Sequence, residues 1–177
     1  MTWRSVVDDA EVIETARLDL VPLPADWLTA ALTGAPRPDL GFADPHGFLD
    51  DAEDLIRLRL QQLSRAASLQ PWLLRAIVLR DHRQAVGHIN FHDAPDSDGM
   101  VEIGYTVVPS WRGQGIAREA AEGMWTWARS HGARILRASV APDNEPSLRL
   151  LRSAGFVQDG EQMDEIDGLE LVFVRNA

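Results

Sequence analysis

The chain has 177 residues, 45% of them hydrophobic and 25% charged, with a formal charge of -10 at pH 7 and no cysteine. That length supports one ordinary domain, residues 1–177, and leaves no room for two; the missing thiols exclude disulfides, Cys-ligated zinc and a cysteine nucleophile. All 17 basic residues are arginine, and the excess of acid argues against nucleic acid, whose binding depends on neutralised phosphates, while mildly favouring cationic acceptors.

Residues 17–23 alternate, with Leu18, Leu20 and Leu23 apolar, and predict a first strand ended by Pro22 and Pro24. A short helix follows at 26–32, then a loop at 33–47 rich in Pro, Gly and Asp. Residues 50–69 carry Leu55, Leu58, Leu63 and Ala66 or Ala67 at helical spacing and stop at Pro71. Residues 73–80 and 85–91 read as a hairpin around the polar turn 81–84, and a second turn, 93–99, leads into a strand at 100–108. The period then changes. Residues 116–131 predict a helix with Ala120, Met124, Trp127 and Ala128 inward and Gly132 as its stop. A strand at 135–140 precedes a helix at 144–154 that buries Leu148, Leu151 and Leu150, with Gly155 left-handed and Phe156 packing back. Residues 156–163 and 169–174, joined around Asp167 and Gly168, give a last hairpin. No apolar run approaches the ~18 residues of a membrane span, and no basic-then-apolar stretch opens the chain, so a cytoplasmic protein with no membrane partner is expected.

Residues 107–117, Val-Val-Pro-Ser-Trp-Arg-Gly-Gln-Gly-Ile-Ala, put two glycines between a strand and a helix. Glycine lets the backbone approach a ligand, and the unpaired amides of a helix start attract an anion. This is a phosphate site without being a Walker loop, which needs Gly-Lys-Ser/Thr, or a dinucleotide fingerprint, which needs a small residue where Arg118 stands.

Here the chain resembles the GNAT acetyltransferase superfamily, whose signature Arg/Gln-x-x-Gly-x-Gly/Ala is matched by Arg112, Gly115 and Ala117. Asn144-Glu145-Pro146-Ser147 and then Gly155-Phe156 are similar to that family's next helix. The opening Glu14-Thr15-Ala16-Arg17-Leu18 and the strand Glu102-Ile103-Gly104-Tyr105 look like the RimJ/RimL-type branch. The resemblance runs from Arg17 to Val174. It implies an α+β fold: a mixed, mostly antiparallel sheet splayed into a V after its fourth strand, with helices on both faces. It also implies acetyl-CoA as cofactor. By position, the backbone of Tyr105, Thr106 and Val107 would pair with pantetheine. The amides of Gly113, Gln114, Gly115, Ile116, Ala117 and Arg118, beside Arg112, would hold the pyrophosphate, and Asn144 would contact the cofactor arm. The implied activity is acetyl transfer to a primary amine, on a protein N-terminus or a small molecule, by direct attack in a ternary complex; a homodimer is compatible.

Such transfer needs a neutral amine, a polarised carbonyl and a proton for the leaving thiolate. Many relatives donate that proton from a Tyr seven residues after the Asn, where this chain has Leu151. Ser147 is the substitute seen in the RimJ/RimL-type branch, suited to hydrogen-bonding the thiolate. Glu102, sharing a strand face with Gly104 and Thr106, is the candidate base, acting through water; Glu119 and Glu122 read as a solvated helix face. His88, Asn90 and His92 share one strand face and are candidates for the acceptor side or for a solvated sheet face. They are no metal pair, since the two histidines stand roughly 13 Å apart along a strand. Trp27, Trp72, Trp111, Trp125 and Trp127 read as core, with Trp111 beside the glycine loop. A noncatalytic acyl-CoA-binding or regulatory module, and a binder of another phosphate ligand, are the competing readings.

Overall fold

The computed structural model describes residues 11–164 and 168–177. Its strands are β1 (Ile13–Glu14), β2 (Leu18–Pro22), β3 (Arg75–Leu79), β4 (Gln84–Phe91), β5 (Met100–Val107), β6 (Ile135–Val140), β7 (Val157–Asp164) and β8 (Gly168–Asn176). Its helices are α1 (Ala25–Thr33), α2 (Glu53–Arg65), α3 (Ile116–Ser130) and α4 (Glu145–Ser153). The strands form one sheet in the order β1-β2-β3-β4-β5-β6-β8-β7.

Every neighbouring pair is antiparallel except β5 with β6. That parallel contact joins Met100–Glu102 to Ile135–Arg137 and goes no further. From Ile103 onward the two strands part, which makes the V the resemblance implies. The split follows β5, the strand expected at 100–108; it is fifth in chain order only because the two-residue β1 adds an edge too short to leave a period in the sequence.

The main chain of β5 alternates between its neighbours. Glu102 O accepts from His92 N, and Val108 N donates to Val86 O, so the even-numbered residues turn their main-chain groups toward β4. Those of Ile103, Tyr105 and Val107 therefore turn toward the split. Side chains alternate the other way: Val101, Ile103 and Val107 are buried under α3. Helix α3 turns Ile116, Ala120, Ala121, Met124, Trp125, Trp127 and Ala128 inward, the 3.6-residue stripe its sequence predicts.

Helices α1 and α2 lie over the opposite face. Helix α2 is shorter than the predicted 50–69 and is rotated: Ile56, Arg59 and Leu63 are buried, Leu58 is 48% exposed and Ala67 is exposed. The cause is polar. Arg59 Nη1 donates to Gln62 Oε1 at 2.6 Å and to the His92 carbonyl at 3.2 Å, which fixes the arginine on the inward side. The loop at 33–47 also differs from a surface loop, because Leu40 is buried, Phe42 packs on Trp27 and Phe48, and Ala43 bridges to Gln84. Gly155 is left-handed at φ 81 and Phe156 is buried, as expected. Of the turn expected around Asp167 and Gly168, Asp167 lies outside the described residues.

Candidate active site

Helix α3 begins unusually. Pro109–Trp111 form one tight turn, Arg112 is extended, and Gly113 and Gly115 are left-handed at φ 74 and 77. Gly115 is the N-cap of α3, and no side chain caps the helix. The first amides of α3 are thus left to whatever approaches the loop. A Cβ built on Gly113 meets nothing within 4 Å, and one on Gly115 meets only Arg17 Nη2 at 3.6 Å. The loop is an open cradle lined by N–H groups, and it fits a diphosphate.

The surrounding charge fits too. Although the chain carries a net -10, Arg112, Arg118 and Arg149 line the cleft beside the cradle. Arg112 Nε donates to the Val107 carbonyl at 2.8 Å, and Arg118 reaches across to Ser153 Oγ on α4. Arg17 is anchored from behind: its Nη2 donates to Gln114 O at 3.1 Å and its Nε to Glu119 Oε2 at 2.7 Å. Glu119 also accepts from Thr15 Oγ1 and from the Arg17 amide, both at 2.6 Å, so it is no solvated residue. Burial would raise its carboxyl, but these hydrogen bonds outweigh that and hold it below its ordinary value.

From the cradle a cleft of about 820 Å³ runs between β5 and α4. Tyr105, Thr106, Val107, Gly113, Gly115 and Ile116 line it on one side, with Ala117 at the helix start and Asn144 and Ser147 opposite; Gln114 lies outside this lining. Main-chain availability is selective: Thr106 is committed to β4, opposite His88, and the Val107 carbonyl to Arg112. Asn144 is the N-cap of α4, its side chain accepting from the Ser147 amide at 3.2 Å.

The side chain of Tyr105, the chain's one tyrosine, donates its hydroxyl to Ser147 Oγ at 3.1 Å. Burial pushes the phenol above its ordinary value, partly opposed by that hydrogen bond, so it stays protonated at neutral pH. Leu151 is fully buried in α4. The second hydroxyl beside Ser147 comes from β5, 42 residues away from that serine, a pairing that no spacing rule reveals. Trp111 is half-buried and donates Nε1 to His46 Nε2 at 3.1 Å, tying the 33–47 loop to the glycine loop.

On the other face Glu102 occupies the last register before the split. Its Oε1 accepts from Ser139 Oγ at 2.5 Å, and Arg137 Nε lies 3.2 Å from Oε2 as an ion pair without hydrogen-bond alignment. His88 and Asn90 are 8% and 2% exposed, which rules out a solvated face for them, whereas His92 is exposed. Asn90 Nδ2 and His92 Nε2 both point at the place a Gly104 Cβ would take, 3.3 and 3.2 Å from it. Burial, helped by Arg59, lowers His88 to about 4, so its ring is neutral.

Residues 17–157 match the family model of an acetyltransferase (GNAT) domain. The uncharacterized N-acetyltransferase YjdG of Bacillus subtilis is 35% identical over 82 residues, 46% of this chain and 49% of that protein, so the chain matches about half the length of this curated relative. Among solved structures, the ribosomal L7/L12 alpha-N-protein acetyltransferase RimL superposes with a TM-score of 0.64 at 16% identity, covering 94% of this chain and 98% of its own. The microcin C7 self-immunity acetyltransferase MccE, solved in complex with acetyl-CoA and AMP, gives 0.63 at 14% identity, covering 92% and 93%. At those identities the two structures speak for the fold.

Proposed function

Because the chain belongs to the GNAT acetyltransferase family, we propose that it is an acetyl-CoA-dependent N-acetyltransferase, one domain over residues 1–177, that acetylates a primary amine directly. The observation that carries this reading is the uncapped start of α3 behind two open left-handed glycines, at one end of a cleft whose other end holds the Tyr105–Ser147 hydroxyl pair.

Acetyl-CoA supplies the acetyl group as an activated thioester. The amides from Gly113 to Arg118 would hold its diphosphate, with Arg112 and Arg118 adding charge, and the Tyr105 main chain would pair with the pantetheine arm. One C–N bond would form and one C–S bond break; of the two protons the ammonium nitrogen loses, one passes through Glu102 to solvent and the other balances the one gained by sulfur. Ser147 accepts from Tyr105, which leaves its own hydroxyl hydrogen free to donate into the cleft, where it would serve the leaving thiolate. Tyr105 thus polarises Ser147, a poor acid by itself. Glu102 stands at the acceptor side of the split, attracts the ammonium form and takes its proton through water. Its bonds to Ser139 and Arg137 fix its orientation.

Thermal shift and an acceptor screen test the reading together. Acetyl-CoA at a hundred times its Kd adds about 2.7 kcal/mol to stability, a rise of roughly 5–10 °C for a chain of this size. ATP and NAD should give far less. Release of free CoA in the presence of an amine panel then separates an enzyme from a binding module. A melting shift with no transfer to any amine would favour the module, and no shift would remove both.

A further inference from the structure

The face of the sheet opposite α3 carries a positive charge that the steps above do not use. Arg59 is 3% exposed, and among the described residues no carboxylate lies within ion-pair distance of it. Nη1 makes both of its hydrogen bonds, to Gln62 Oε1 and His92 O, while buried Nε has no partner among the described residues. The Nε edge of the guanidinium is thus left without an acceptor among the described residues. Burial lowers its pKa to about 10, which still leaves it charged at neutral pH.

The neighbouring groups share this condition. Buried His88 has no partner for Nδ1 among the described residues, and the Asn90 amide, 2% exposed, turns its Nδ2 toward Gly104. Of the nearby carboxylates, Glu102 is engaged by Ser139 and Arg137 and Glu170 by Gln162, while Asp93, which accepts from Gln62 Nε2 at 3.5 Å, attracts Arg59 only from beyond ion-pair distance. Gly104 keeps open the spot at which Asn90 and His92 aim, two residues past the last β5–β6 pair. An unpaired buried cation is costly, and the group that best completes a guanidinium edge is a carboxylate held by two parallel N–H bonds.

Resting on the acetyltransferase reading, we infer that the acceptor is an amino carboxylate: its carboxylate is received by Arg59, with His88 and Asn90 beside it, while its amine lies over Gly104 toward Glu102 and the split. Neutral His88 can donate to a carboxylate oxygen without adding a second buried charge.

Matched pairs test this: amino acids with the amine α, β or γ to the carboxylate, each against its carboxamide, at fixed acetyl-CoA. The wild-type protein should favour the carboxylate at one spacing by about 10- to 100-fold in kcat/KM, the range expected of hydrogen bonds to a charged group. That preference should hold although the carboxamide's amine is the less protonated. Arg59→Gln should collapse the ratio. Since Arg59 also ties α2 to His92, Asn90→Asp supplies a variant that keeps Arg59 and sets a carboxylate beside Gly104, where it repels the acceptor's own, and it too should abolish the preference. Calorimetry of the same pairs with the CoA-bound protein reads the site apart from turnover. Equal or better binding of the carboxamides at all three spacings overturns the inference, whether or not acetyl transfer is seen. Absence of any acetyl-CoA effect on melting would instead count against the parent reading.

Discussion

Gly113→Ala isolates the glycine cradle from the rest of the fold. Gly113 sits at φ 74 and its added methyl meets no protein atom within 4 Å, so backbone strain is the whole cost to folding. Left-handed backbone costs an L-residue roughly 1–2 kcal/mol, or a fall in Tm of about 2–8 °C at this chain length. Gly132→Ala is the matched control, because Gly132 has φ 95 and equally empty surroundings but follows the far end of α3. Both variants should lose similar stability. Only Gly113→Ala puts a methyl at the mouth of the cleft, where it displaces a diphosphate from the amides. Loss of one charge-assisted hydrogen bond of about 1.5–3 kcal/mol weakens acetyl-CoA binding about 10- to 100-fold. Acetyl-pantetheine, which has no diphosphate, should bind the variant and the wild type alike. Calorimetric titration with both ligands is the assay. Equal losses for the two ligands, or a Gly132→Ala loss as large as that of Gly113→Ala, would refute the reasoning.

Tyr105→Phe and Ser147→Ala should each lower kcat by about 10- to 100-fold, at the low end of acid–base contributions, with acetyl-CoA affinity retained. The double variant should be little worse than the single ones, since the two hydroxyls act as a unit; full additivity in steady-state rates would separate them. Glu102→Gln should reduce kcat/KM at least tenfold without weakening acetyl-CoA, and an unchanged rate would remove it as the base. His88 is lowered to about 4 from an ordinary value of 6.5, so the unfolded chain binds the extra proton first. Stability is therefore full above pH 6.5 and declines as pH falls from there toward 4. Urea unfolding at pH 7 and pH 5 should show a loss that His88→Asn reduces; an identical loss in the variant would acquit His88.

The elements that sequence made legible are those whose side chains repeat with a period. Helix α3 buries Ala120, Met124, Trp127 and Ala128, and α4 buries Leu148, Leu150 and Leu151, because in each case only one stripe is apolar. Helix α2 offered several, with Leu55, Ile56, Leu58, Leu60 and Leu63 all available, and a hydrogen bond from Arg59 to a carbonyl 33 residues away chose among them. The same holds for β4. Alternation of His88, Asn90 and His92 with apolar residues allowed a wetted face, but β4 is buried on both sides at His88 and Asn90, and only His92, just past its end, is exposed. The glycine loop could be read because its chemistry is backbone chemistry confined to a few consecutive residues. Pairs such as Tyr105 with Ser147, or Glu119 with Thr15 and Arg17, exist only once the chain has closed on itself.

An amide-resolved NMR titration of the full chain with CoA tests the central claim most directly. The account predicts that Gly113, Gly115 and Ile116 show the largest shifts, followed by Tyr105 and Ser147, and that the Gly113 and Gly115 shifts vanish when pantetheine replaces CoA. Shifts that bypass the start of α3, or that survive removal of the diphosphate unchanged, would contradict it.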